Sequence, residues 1–265
     1  MTVTIHCIRH GQGVHNLMED YTIHDPLLTP DGEARSRLAW KIHFPDEKQG
    51  KENLLIAASP SRRTLQTACL AFQDILDSTE KKVLAIPDAQ ETSDDACDTG
   101  SDPESLREFI NERGLAVDLS LVGNGWNKKQ AGSRYGPSDK AIIDRAIALR
   151  RFLFDLVRNR LPESAPIEIA LVSHGTFLHY FTGDWEDACR FPATGWKNCE
   201  IRSYGLRTSH SLIGLDDVEM VELAESRRRR GLTTEAPNSM EQRRLKQYAM
   251  EYWGQQGLQR PDLVP

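Results

Sequence analysis

Thr2-Val3-Thr4-Ile5-His6-Cys7-Ile8-Arg9-His10-Gly11-Gln12-Gly13 decides the fold. Residues 2–8 alternate apolar and polar side chains and are rich in β-branched ones, which is the pattern of a strand with two unlike faces. The run ends at Arg9-His10-Gly11-Gln12-Gly13. This turn sets a guanidinium beside an imidazole, and its glycines would let backbone approach an anion.

Outward from that junction the same order recurs. Thr29 caps a helix with Pro30 in its first turn, running to about Phe44. Asn53 to Ala58 is a short apolar strand broken at Ser59-Pro60, and Ser61 starts a helix to about Leu76. Val83 to Ile86 reads as a further strand. In Ser138–Arg160, the residues Ile142, Ala146, Leu149, Leu153 and Val157 form a helical stripe, leading to a buried strand at Ile167–Val172 that stops at Ser173-His174-Gly175. Such alternation predicts an α/β fold with a mostly parallel sheet, covered on both faces and carrying its site at the carboxyl ends of strands.

Two regions depart from the pattern. Residues 87–137 are rich in Asp, Ser, Gly and Asn and read as an irregular insertion with one helical piece near Pro103–Glu112, long enough for a lid. From about residue 216, Val218–Arg230 and Met240–Trp253 read as charged helical segments of a C-terminal extension, with Arg227 to Arg230 solvated at a helix end. One domain spanning 1–265 is expected.

Composition narrows the functional classes. With 39% hydrophobic and 27% charged residues of mixed sign, the chain reads as globular. A net charge of −6 speaks against nucleic acid, and no apolar run approaches membrane-spanning length. Five scattered cysteines without a CxxC pair fit neither a zinc site nor a disulfide framework, so reduced thiols in the cytoplasm are expected. The expected partner is a small molecule, with no nucleic acid and no membrane, and a homodimer is left open.

Phosphoryl transfer without metal needs a nucleophile, cations for the phosphoryl oxygens and an acid for the leaving group. Arg9 and His10, the amide of Asn16, the pair Arg62 and Arg63, and His174 offer these at strand-to-helix junctions. His6 and His10 stand four apart, but on a strand and without the HExxH glutamate, which argues against metal. Trp126, Tyr135, Trp185 and Trp196 fit either a substrate mouth or loop support.

The ordered set RHGQGVHN (9–16), SPSRRTLQTA (59–68) and LVSHGTF (171–177) resembles the histidine phosphatase (phosphoglycerate-mutase-like) superfamily over roughly residues 3–206. QETSDDACDTG (90–100) and GDWEDACRFPATGWKN (183–198) resemble its fungal members. The resemblance implies a three-layer α/β/α sandwich, a phosphohistidine on His10, and phosphate binding by Arg9, Arg62, Asn16 and His174, with no cofactor or metal. It also implies a proton donor at Glu91, with Asp94, Asp95 and Asp98 nearby. Two adjacent guanidiniums should keep His10 neutral and nucleophilic.

The expected activity is metal-independent hydrolysis of a small-molecule phosphomonoester. Mutases of the family carry Glu-Arg-x-Tyr-Gly after the third strand, where this chain has Gln90-Glu91-Thr92-Ser93-Asp94, so mutase-type transfer is the weaker alternative. A non-catalytic phospho-ligand-binding module is disfavoured because His10, Arg9, Arg62 and His174 are all present.

Overall fold

A computed structural model describes residues 3–44, 53–160, 167–190, 194–208, 218–232 and 235–265. The chain runs β1 (Val3–Arg9), α1 (Val14–Met18), α2 (Pro30–His43), β2 (Leu54–Ala58), α3 (Arg62–Ala71), α4 (Gln73–Ser78) and β3 (Val83–Ala85). It continues with α5 (Pro103–Arg113), β4 (Val117–Asp118), α6 (Asp139–Arg160), β5 (Ile167–Ser173) and α7 (Gly175–Thr182). Last come β6 (Ile201–Thr208), β7 (Val218–Glu222), α8 (Ala224–Arg229) and α9 (Ser239–Gln255).

The strands form one seven-stranded sheet in the order β4-β3-β2-β5-β1-β6-β7. The first five neighbours are parallel, and β6 and β7 join antiparallel beyond β1. Register makes this a site-building sheet: Arg9 lies opposite Ser173 and Ala58 opposite Val172. The next residues of these three strands, His10, Ser59 and His174, therefore emerge side by side at one carboxyl edge.

The alternation of β1 becomes two cores. Val3, Ile5 and Cys7 pack with Ile142, Leu149 and Leu153 of α6 on one face, while Ile8 packs with Trp40, Leu65 and Phe72 on the other. Helices thus cover both faces of the mostly parallel sheet. Each fully buried Leu or Ile of the α6 stripe contributes about 1.5–3 kcal/mol of transfer free energy, so the longest helix is held by its stripe more than by propensity.

Several expectations need correction. The helix foreseen from Ser61 to Leu76 divides at Phe72, whose ring is buried against Trp40, and α4 turns Ile75 and Leu76 into the same core. Val218–Arg230 is not one helix: its first part is β7, paired along β6, and only Ala224–Arg229 is helical. Arg227 and Arg230 are not solvated there. Arg227 is buried against Glu186 and Glu222, and Arg230 pairs with Glu222 and Asp187.

The insertion is more regular than its composition suggests. Asp102 caps α5, Gly114 ends it in the left-handed region, and β4 then adds to the sheet edge beside β3. In the C-terminal extension, Asn238 and Glu241 form a capping box for α9, which buries Ala249, Met250 and Trp253 in the α6 core. Among the described residues no helix is long and apolar enough to cross a membrane.

Candidate active site

The site grows from the end of β1. The backbone N–H of His10 donates to Ser173 O, and that of Gly11 donates to Thr67 Oγ1. The glycines allow close packing. A Cβ on Gly11 would meet Ser36 Oγ at 2.6 Å, and one on Gly13 would meet the His15 ring at 2.6 Å.

His10 is 2% exposed, and its Nδ1 lies 2.7 Å from Gly11 O. A carbonyl only accepts, so Nδ1 carries the proton and Nε2 keeps a lone pair. Arg63 Nε donates to that Nε2 at 3.3 Å, in keeping with this tautomer. Burial first, then Arg63 and Arg9, hold the imidazole well below its ordinary pKa, so it is neutral.

The second arginine of the pocket is Arg63, whereas the sequence reading had assigned Arg62. Successive residues of an α-helix point about 100° apart, so only one of two neighbours in the first turn can face the sheet edge. Arg63 does, at 1% exposure, donating to Cys97 O at 2.5 Å, to Asp98 Oδ1 at 2.9 Å and to His174 Nδ1 at 3.0 Å. Arg62 turns outward. Its backbone N–H donates to Asp25 Oδ1, and its guanidinium lies 5.4 Å over the Phe109 ring with Nε 3.8 Å from Asp25 Oδ2.

His174 sits fully buried beside His10, with ring centroids 5.2 Å apart. Because arginine only donates, His174 Nδ1 accepts and Nε2 donates to Ser59 Oγ at 2.9 Å. Both nitrogens are thus engaged, and the ring clamps Arg63. Asn16 Oδ1 accepts from Gly13 N–H, and its amide nitrogen faces His15 Nε2 at 3.0 Å. One of its two amide N–H groups steadies His15, which lines the pocket beside Asn16 and whose pKa burial and Arg63 push down to about 3. Arg9 lines the opposite wall, donating to Trp196 O.

Glu91 completes the pocket. Its Oε1 accepts from Thr92 and Phe177 N–H, both at 2.9 Å, and Oε2 accepts from Thr176 N–H at 3.2 Å, at the start of α7. Burial raises its pKa and the charge of Asp98 adds to this, against the pull of Lys129 and the amide bonds. The loop is pinned by two buried cations that motif reading missed. Lys129 donates to Glu91 O and Ser93 O, and Arg145 donates to the carbonyls of Asp88, Gln90 and Glu91.

The mouth holds another group without a motif. Trp253, Leu258 and Gln259 of the C-terminal extension line it, and Gln259 Nε2 donates to Asp94 Oδ1 at 2.7 Å, latching extension to insertion. Trp126, Trp185 and Trp196 are buried supports outside this lining, and Tyr135 packs beside the second core. Among the described residues no cluster of three or more His, Cys, Asp or Glu could hold a metal.

The depressed histidines make stability pH-dependent. Unfolded, each takes a proton below about pH 6.5, whereas folded His10, His15, His174 and His179 resist it. Stability therefore falls as pH drops below that value, by up to ~1.4 kcal/mol per pH unit per histidine. Glu91 and Glu222, raised by burial, work the other way but are fewer. The urea midpoint should drop between pH 7 and pH 5. An unchanged midpoint would mean that these rings accept protons inside the fold.

Comparison with known proteins places the chain in a family. The sequence pattern of the histidine phosphatase superfamily (branch 1) matches residues 5–213. The chain belongs to that superfamily. It is 36% identical over 181 residues to a protein of Schizosaccharomyces pombe named "Probable phosphatase", covering 67% of this chain and 76% of that one. It is 28% identical over 251 residues to "Phosphoglycerate mutase-like protein 1" of Arabidopsis thaliana, covering 80% and 84%. The ecdysone phosphate phosphatase of Bombix mori, solved with tungstate, shares the fold at a TM-score of 0.54 and 15% identity, over 89% of this chain and 94% of that one.

Proposed function

We propose that the chain is a metal-independent cytoplasmic phosphatase that hydrolyses a phosphomonoester of a small molecule through a phosphohistidine on His10. One observation carries the reading: the Nε2 lone pair of a neutral, buried His10 faces a pocket shared by Arg9, Arg63 and the carboxyl of Glu91. Arg63 covers that lone pair in the free protein, and an arriving phosphate offers its guanidinium better acceptors. Nε2 then attacks phosphorus in line, forming an N–P bond as the P–O bond to the leaving group breaks. Arg9 and Arg63 take the charge of the phosphoryl oxygens, while Glu91 protonates the departing alkoxide. As carboxylate, Glu91 next removes a proton from water, which attacks phosphorus and releases His10.

Hydrolysis is favoured over mutase transfer because, among the described residues, Arg9 and Arg63 are the arginine or lysine side chains lining the pocket, leaving none for a substrate carboxylate. Five free cysteines support a reducing compartment. Purified protein should hydrolyse p-nitrophenyl phosphate at a rate unchanged by EDTA, and loss on chelation would point to a metal hydrolase instead. Glu91→Gln should lower kcat/KM, which reads the first step alone, by about 10²–10⁴ for alkyl phosphates, yet by less than about tenfold for p-nitrophenyl phosphate, because a good leaving group needs no acid. Equal losses would hand the proton to another group.

A further inference from the structure

A carboxylate inside a phosphate pocket opposes the binding of a dianion, so the presence of Asp98 calls for a reason. It ends the short 3-10 turn Ala96–Asp98 and lines the pocket with both oxygens engaged. Oδ1 accepts from Arg63 Nη2 at 2.9 Å, and Oδ2 accepts from Ser93 Oγ at 2.7 Å. Arg63 is thereby held at each nitrogen: Nε on His10, Nη1 on Cys97 O, Nη2 on Asp98 and His174.

Building on the phosphatase reading, we propose that Asp98 is a positioning residue for the reaction, locking the Arg63 fork over the nucleophile and reserving Glu91 as the acid. The second part rests on what surrounds Glu91. Lys129 of the insertion, Arg9 at the end of β1, Arg145 of α6 and the first amides of α7 all favour its carboxylate form. Burial and the negative charge of Asp98 oppose them. Asp98 thus spends some phosphate affinity to keep a proton where the leaving group needs it, and it keeps Arg63 from drifting when the pocket is empty.

Asp98→Asn separates these effects, since the amide keeps the size and an acceptor for Arg63 but loses the charge. Three quantities are read against wild type: the pH dependence of kcat for an alkyl phosphate, the same for p-nitrophenyl phosphate, and inhibition by orthovanadate. Without the charge, Glu91 deprotonates at lower pH, so the alkaline limb for the alkyl ester should move down. At pH 7.5 that kcat should fall on the order of tenfold while the nitrophenyl rate stays within about twofold. Orthovanadate should bind about tenfold tighter, one like charge having left the pocket. Asp98→Glu, which restores the charge, should return the limb and the inhibition towards wild type.

An unmoved limb and unmoved inhibition in Asp98→Asn would overturn the proposal and leave Asp98 a fold contact. Loss of the limb in Asp98→Asn, with Glu91→Gln retaining it, would also overturn it by making Asp98 the acid. Wild type that hydrolyses neither ester would instead sink the phosphatase reading itself.

Discussion

His10→Ala is expected to lower turnover of p-nitrophenyl phosphate by at least about four orders of magnitude, because the proposed route to product passes through a bond to Nε2. The fold should survive. The side chain is buried, but its ring contacts are with other pocket histidines and its two bonds are to its neighbour's carbonyl and from Arg63 Nε, so the cost is about 1–3 kcal/mol. Quenching wild type in alkaline denaturant during turnover should leave phosphate on the chain that mild acid releases, as expected of an N–P bond. The variant should carry none. An adduct that persists in His10→Ala would place the nucleophile elsewhere, and full activity in the variant would remove covalent catalysis at this position altogether.

The scaffold of that nucleophile was legible because its signals are local. β1 alternates with period two, the α6 stripe has helical period, and each motif sits where a strand stops. What escaped the sequence depends on phase or on distant pairing. In α3, residues from Arg63 to Cys69 are all buried, so no polar face tells which of two adjacent arginines turns inward. β6 and β7 form by pairing with each other and with β1, and the short charged run Val218–Glu222 reveals nothing of that by itself. Gln259 reaches the mouth from the far end of the chain. Arg145 was missed although a signal existed: it lies between Ile142 and Leu149 on the apolar stripe, and a cation at such a position requires a buried partner, here the carbonyls of the Glu91 loop.

The adjacent arginines give the sharpest contrast. Arg63→Ala should lower kcat/KM by about 10³–10⁵, the range seen when an arginine that stabilises a transferring phosphoryl group is removed. It should also cost stability, since Asp98 and His174 Nδ1 lose their partner in a buried setting, by about 3–5 kcal/mol. Rates must therefore be compared at equal folded fraction, and Arg63→Lys, which keeps the charge without the fork, should recover stability more than rate. Arg62→Ala should change kcat/KM by less than about threefold. Its hydrogen bond to Asp25 comes from the backbone N–H, which alanine retains; the loss of the guanidinium's longer ion pair to Asp25 Oδ2 and of its stacking over Phe109, worth about 0.5–1 kcal/mol, falls on stability and not on the pocket. If Arg62→Ala proved to be the crippling change and Arg63→Ala the silent one, phosphate would have to bind outside the pocket that His10 faces, and the order of the two residues in the helix would have misled both the geometry and the mechanism built on it.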